Sequence, residues 1–264
     1  MKKLILKLWQ KRQAARLQQR IFEAVESAAR LDNSAFPDRL ELPSPYGRGM
    51  PERAVELLLA RLLYRPNLRV MDVGYANAMA CHLRMLETLE PPANLTGLDI
   101  AEPVYDARRY YARAVRASVI DVPLPDESFD LIWCISTLEH VGMDNTNYVE
   151  GAGDKGQSPV AAVKEMLRLL APGGRLLVTV PFGRFEDLGW MLNYDSSHLQ
   201  TLLDAAPPCA TAKTWYFRHT FGGGWTLANP DELRYVGYYD QANGGAGAMA
   251  AVVFTRLSGG SGTR

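Results

Sequence analysis

The sequence predicts an α/β domain, a parallel β-sheet covered by helices on both faces. Three observations carry this. The chain has 264 residues, 47% hydrophobic and 22% charged, a size and balance that suit one large domain with a substantial core. From Leu68 onward, short β-branched or apolar runs alternate with stretches of helical periodicity, the pattern of parallel strands joined by covering helices. Asp72, Asp99 and Asp121 each close a predicted strand, and open α/β sheets bind ligands across the carboxyl ends of their strands.

The N-terminus comes first. Residues 1–20 contain Lys2, Lys3, Lys7, Lys11, Arg12, Arg16 and Arg20 and no acid, a formal +7 within a chain of net charge zero. Leu4-Ile5-Leu6 is interrupted by Lys7 and no small-residue cleavage site follows, so the segment reads as a helix and not as a signal peptide. Lys3, Lys7 and Lys11 form one stripe, with Leu4, Ile5, Leu8 and Trp9 on the other side; Lys2, among the apolar residues, blurs the division. The readings are a helix packed on the domain or on a partner subunit, contact with an anionic membrane surface, or local nucleic-acid contact. Zero net charge argues against coating nucleic acid by bulk positive potential. No apolar run approaches the ~18 residues of a membrane span.

The chain continues as a helix over Ile21 to Leu31, then a connection through Pro37, Pro43, Pro45, Gly47 and Gly49. A new helix follows Pro51, with Val55, Leu58, Leu59, Leu62 and Leu63 at helical spacing. Predicted strands are Leu68–Val73, Leu95–Asp99, Ser118–Ile120, Asp130–Ser136 and Arg175–Val180, with helices over 76–89, 103–114, 159–170 and 196–206. Thr211–His219 and Ala248–Arg256 suit an antiparallel pair at one sheet edge. The organisation expected is a basic helical extension over 1–50, a domain over 51–257 and a Gly/Ser-rich tail over 258–264. Cys81, Cys134 and Cys209 are odd in number and far apart, which suits core thiols in a reducing cytoplasm. No metal site is predicted; Asp195-x-x-His198 is too small a set to hold an ion.

The chemistry gathers at the strand ends. In Val70-Met71-Asp72-Val73-Gly74-Tyr75-Ala76-Asn77-Ala78 a strand passes through a tight turn into a helix, with small residues that let backbone approach a ligand. With one glycine, this is weak evidence for a dinucleotide fingerprint. Asp72 would repel a pyrophosphate and attract an ammonium group. Asp99 suits the two hydroxyls of a ribose, or else the N-cap of the next helix. Asp121 suits the exocyclic amine of an adenine.

These three acids in order, with Gly74 and Ala76, "PLPDESFDLIWCISTLEHVG" (123–142) and "MLRLLAPGGRLLVTVP" (166–181), resemble the class I S-adenosylmethionine-dependent methyltransferases, especially the large small-molecule group typified by ubiquinone methyltransferases. The resemblance covers about residues 68–181. "DVGYANA", "FGRFEDLGWMLNYDSSHLQTLL" and "GGGWTL" are similar, more loosely, to methyltransferases of glycan and polysaccharide biosynthesis. Ala76 and Ala78 depart from the family, where glycine is more common. The resemblance implies a Rossmann-like, seven-stranded, mostly parallel sheet with an antiparallel last strand, in three α/β/α layers beside the N-terminal helical extension. It implies S-adenosyl-L-methionine as cofactor, contacted by Asp72, Gly74, Tyr75, Ala76, Asp99, Ile100, Asp121, Val122 and Ser136.

For the acceptor, His140 is the candidate general base, having an ordinary pKa suited to neutrality; its alternative is a loop histidine bonded to backbone. Gly142–Ser158 reads as an acceptor lid or as plain disorder. Trp190, Asn193, Tyr194, Asp195 and His198 suit a polyhydroxylated sugar, although Asp195 or Ser196 is also a helix N-cap. The expected activity is O-methylation of a sugar, glycan precursor or similar small metabolite, in the cytoplasm or peripherally at the inner face of the membrane. Residues 1–20 are the expected membrane or protein contact, and no nucleic-acid partner is expected. Natural-product, lipid or quinone methylation is the near alternative. From other classes stand a nicotinamide-dependent oxidoreductase or epimerase, and a non-catalytic cofactor-binding partner protein.

Overall fold

A computed structural model describes residues 2–31, 33–89, 94–103, 106–146, 156–240 and 245–258, with only the backbone at 2–6 and 8. Its main sheet follows from the apolar runs. Val70–Val73 (β1), Leu95–Asp99 (β2), Arg113–Arg116 (β3), Phe129–Ile135 (β4) and Leu170–Pro181 (β5) are parallel, in the order β3-β2-β1-β4-β5. Ala210–Thr220 (β8), Gly224–Leu227 (β9) and Ala248–Arg256 (β10) extend it as β5-β10-β8-β9, with β10 antiparallel to both neighbours. Glu186–Asp187 (β6) and Leu192–Asn193 (β7) form a separate ribbon.

Period-two alternation divides the side chains between two cores. Val70, Leu131, Trp133 and Leu177 pack beneath Lys2–Ala29 (α1), Arg53–Leu63 (α2) and Ala80–Glu87 (α3). Met71, Ile132, Cys134 and Val178 face Pro159–Leu169 (α4), Ser196–Leu203 (α5) and Pro230–Leu233 (α6). This is the three-layer, Rossmann-like arrangement expected.

Two details differ from expectation. Among the described residues the sheet has eight strands, not seven, because β9 returns from the Gly222-Gly223 turn as a short outer edge. The third strand is Arg113–Arg116 and not Ser118–Ile120, and 103–114 carries a 3-10 turn at Arg108–Tyr110 where a helix was expected. An edge strand burying Val115 alone, between two exposed arginines, has almost no apolar alternation to read. As expected, the N-terminal helix continues past residue 20: α1 runs unbroken from Lys2 to Ala29. Its Ile21, Val25 and Ala28 join Phe36, Leu40 and Tyr46 in the core under α2. Lys7 and residues 9–16 of α1 are exposed.

The segment before α2 is held by β9. Trp225 is fully buried; its backbone N–H donates to the Tyr46 carbonyl at 2.7 Å and its indole N–H to the Met50 carbonyl at 3.0 Å. The Tyr46 hydroxyl donates to the Ala54 carbonyl at 2.8 Å. This clamp fixes the start of α2 against the carboxyl edge of the sheet.

Candidate functional site

At that edge, between the ends of β1, β2 and β4, lies a cleft of about 300 Å³. Its floor is the β1 turn. Gly74 has φ +85°, and a Cβ there would collide with the Thr137 side chain. A left-handed position plus a collision opposes any side chain. Gly74→Ala is therefore expected to destabilise by about 2 kcal/mol and lower Tm by about 4–8 °C, readable by thermal unfolding.

Asp99, at the end of β2, faces the cleft. Its Oδ2 accepts the Ala76 N–H at 2.9 Å and its Oδ1 accepts the Ala101 N–H at 2.8 Å. Burial raises its pKa while the N–H groups of Ala101, Ala76 and Ile100 oppose the shift. Each carboxylate oxygen keeps further acceptor capacity, which fits a pair of vicinal hydroxyls. Leu98, Ile100, Ala101, Ala117 and Val119 make the adjoining wall apolar, a slot suited to a flat heterocycle.

The opposite end is polar. Ser136, at φ +42°, donates its hydroxyl to Glu56 Oε1 at 2.5 Å. Thr179 donates to the same oxygen at 2.9 Å, and Arg53 Nη1 stands 3.2 Å from Glu56 Oε2. Arg53 also lines the cleft. Burial works against its charge, but Glu56, Glu52, Cys81 and Glu139 outweigh that and raise its pKa. Burial, reinforced by Glu56, pushes the Glu52 carboxyl up to about 7, and burial holds Glu139 well above the carboxylate range. Arg53 is a site cation that sequence reasoning missed, since nothing in Pro51-Glu52-Arg53 marks it apart from any helix start.

His140 closes this end. Its Nδ1 lies 2.9 Å from the Trp190 carbonyl, and its ring centroid 5.3 Å from the Trp190 ring. A carbonyl can only accept, so Nδ1 carries the proton and the neutral ring has its lone pair on Nε2. Burial lowers the His140 pKa, which favours that neutral, base-competent form. Tyr238 stands edge-on to Trp190 at 6.5 Å.

Of the sequence-predicted residues, Gly74, Asp99, Ile100, Ser136 and His140 line the cleft. Asp72, Tyr75, Ala76, Asp121 and Val122 do not. Asp72 projects from the other face of β1, where it is buried, accepts the Tyr111 hydroxyl at 2.5 Å and lies 3.1 Å from His82 Nε2. It has no access to an ammonium group in the cleft. The Tyr75 ring packs on Gly97 and Tyr111, where a Cβ on Gly97 would come within 2.8 Å of it. Ala76 is buried and its N–H is taken by Asp99. Asp121 is exposed in a turn five residues beyond β3, a consequence of the shifted strand, and the buried Val122 gives its N–H to Glu165 at 2.9 Å.

Asp195 caps α5 through the His198 N–H at 2.9 Å and holds His198 Nδ1 at 2.8 Å, so the capping reading accounts for both. Of the expected acceptor loop, residues 147–155 lie outside the described residues, as do 259–264 of the tail. Asn145 does line the cleft and donates to the His140 carbonyl at 2.8 Å. Among the described residues no group of three His, Cys, Asp or Glu is placed to hold a metal ion, and no helix is long and apolar enough to cross a membrane.

The model of a family described as "Methyltransferase domain" matches residues 71–178. An uncharacterized protein of Methanocaldococcus jannaschii is 26% identical over 145 residues, 55% of this chain and 55% of its own. The chain thus spans about half the length of that curated relative. Solved structures with a similar fold include the 4+2 cyclase SpnF, at 19% identity and TM-score 0.48 over 78% of this chain and 81% of that one. Another is the N-methyltransferase NodS from Bradyrhizobium japonicum in complex with S-adenosylhomocysteine, at 16% identity and TM-score 0.47 over 89% and 98%.

Proposed function

We infer that residues 71–178, which match the methyltransferase-domain model, form a class I S-adenosylmethionine-dependent methyltransferase domain, and that the chain methylates a hydroxyl of a sugar, glycan precursor or similar small metabolite. The observation that carries this reading is a neutral histidine, oriented by the Trp190 carbonyl, in the same cleft as Asp99. The residues present fit the cofactor. Asp99 has acceptor capacity for the ribose hydroxyls, the Leu98–Ala101 wall takes the adenine, and Arg53 is placed for the carboxylate of the methionine tail.

When bound, S-adenosylmethionine would supply a methyl carbon activated by its positive sulfur to the acceptor oxygen, leaving S-adenosylhomocysteine. The chain's part is to position and deprotonate. His140 Nε2 would take up the acceptor's hydroxyl proton, and the Trp190 carbonyl on Nδ1 would steady the resulting imidazolium. The exposed half of α1, with Lys7, Lys11, Arg12 and Arg16, extends the reading to contact with an anionic membrane surface.

Calorimetry with S-adenosylmethionine, S-adenosylhomocysteine and NAD is the test. Binding of NAD and of neither sulfur compound would overturn the reading in favour of an oxidoreductase. His140→Ala is expected to lower turnover by about 10²-fold while leaving S-adenosylhomocysteine affinity within about twofold. In the wild type, kcat should rise with pH through a pKa below the ordinary imidazole value and then level off, because only neutral His140 accepts a proton. Undiminished turnover in the variant would place the base elsewhere.

A further inference from the structure

A second cleft, of about 650 Å³, opens at the same edge of the sheet. β8 runs in the sense of β5, and Phe217 and Pro181 both stand opposite Met249 of β10. Arg218, His219 and Thr220 therefore lie just past the level where β5 ends. Three strand spacings, about 14 Å, separate β8 from β4, the strand that leads to Ser136 and His140. The facing wall is Arg48 and Gly49, held by the Trp225 clamp. Five residues on, the chain reaches Arg53 in the first cleft, a span of at most about 18 Å.

The charges in this cleft are unbalanced. Arg69, Arg168, Arg184 and Arg256 each sit on a carboxylate at 2.5–2.7 Å. Arg48 and Arg218 are exposed and form no ion pair among the described residues. Arg20 joins them, its Nη2 donating to the Arg48 carbonyl at 3.0 Å. Against the two lining arginines stands one acid, Asp240, whose Oδ2 accepts the Gly237 N–H at 2.8 Å. The lining therefore carries one surplus positive charge, and Arg20, beside Arg48, reinforces it. His219, edge-on to Trp225 at 5.3 Å, has its Nε2 buried with no hydrogen-bond partner among the described residues. Phe221 stands at the mouth, 95% exposed.

Guanidinium forks match the oxygens of phosphate, and two unpaired forks on facing walls suit its three or more oxygens better than the two of a single carboxylate. We propose that the cleft of Arg48, Arg218 and His219 binds a phosphate or diphosphate group of the methyl acceptor, so that the substrate is a phosphorylated small molecule whose hydroxyl reaches His140. The proposal rests on the methyltransferase reading of the first cleft and names its substrate class. Phe221 supplies an apolar face beside the anion, for a ring attached to it.

The test is calorimetric titration of the full chain with inorganic pyrophosphate, with and without saturating S-adenosylhomocysteine. Saturable 1:1 binding is expected, weakened about tenfold by Arg48→Gln or Arg218→Gln and abolished in the double variant. S-adenosylhomocysteine affinity and Tm should stay unchanged in all three, since both side chains are exposed and outside the first cleft. No saturable binding, wild-type binding in the double variant, or displacement of pyrophosphate by S-adenosylhomocysteine would each overturn the proposal. Failure of S-adenosylhomocysteine to bind while pyrophosphate binds would overturn the methyltransferase reading and, with it, the acceptor assignment.

Discussion

Replacing Asp99 by Ala is expected to weaken S-adenosylhomocysteine binding by at least two orders of magnitude. A hydrogen bond to a charged acceptor contributes about 1.5–3 kcal/mol, so losing both ribose hydroxyls costs about 3–6 kcal/mol, or about 10²–10⁴ in Kd. The carboxylate also receives the Ala76 and Ala101 N–H groups, and the variant loses those partners too. Its Tm should therefore fall as well, which makes the folded fraction a necessary control. Asp99→Asn separates the two roles. It keeps one carbonyl acceptor for a backbone N–H, but gives up the charge and half the acceptor capacity, so its stability should recover more than its affinity. Because burial raises the Asp99 pKa, wild-type affinity should weaken on acidification as this carboxylate takes up a proton. An unchanged calorimetric Kd in Asp99→Ala would remove the residue from the site.

Asp99 was legible in the sequence because β2 is an interior strand, with its apolar residues in register and its acid at the last paired position, opposite Arg116. Asp72 looked equivalent and is not. It stands one residue before the turn, and a one-residue difference in a strand reverses the face to which a side chain points. Val73 lines the cleft, while Asp72 meets Tyr111 and His82 behind the sheet. Asp121 was misplaced by its neighbours. Val119 and Ile120 have the β-branched character of a strand, whereas the true edge strand is flanked by Arg113 and Arg116 and pairs on one side only. Gly74 was legible as a turn residue and Ser136 as a strand-end residue, and both have positive φ. Arg53 and Arg48 were not legible at all. They reach the site because Trp225, more than 170 residues later, takes up the Met50 carbonyl. No local pattern encodes such a contact.

Arg53→Ala should produce the largest loss of stability, and the loss should depend on pH in a direction that identifies its cause. Arg53 is the cation among Glu52, Glu56 and Glu139, and it pairs directly with Glu56. Removing one partner of a buried ion pair costs about 3–5 kcal/mol, because a charge is left without compensation. A carboxyl whose folded pKa lies above its unfolded value takes up a proton on folding, so its contribution becomes less favourable as pH rises between the two values. For Glu52 that window runs from the ordinary glutamate value to about 7. The wild type should thus already lose stability across this range. In Arg53→Ala the carboxylates lack their cation, so the fall should be steeper and should continue above pH 7. Urea unfolding of both proteins at pH 5, 6.5 and 8 measures this, with the difference expected to shrink toward pH 5 as the carboxyls become neutral. A difference independent of pH would mean that Arg53 acts through its packing and not through its charge. Arg53→Ala with Glu56→Gln completes a double-mutant cycle, and recovery of part of the loss there would assign it to that pair. The same charge bears on function. The methionine tail of the cofactor carries its own carboxylate, and without Arg53 that group would meet the uncompensated charge of Glu52, Glu56 and Glu139 behind the cleft. Cofactor affinity in the variant should therefore improve as pH falls toward 5, opposite to the trend expected from Asp99. Comparing the pH dependence of affinity in wild type and variant separates the two residues.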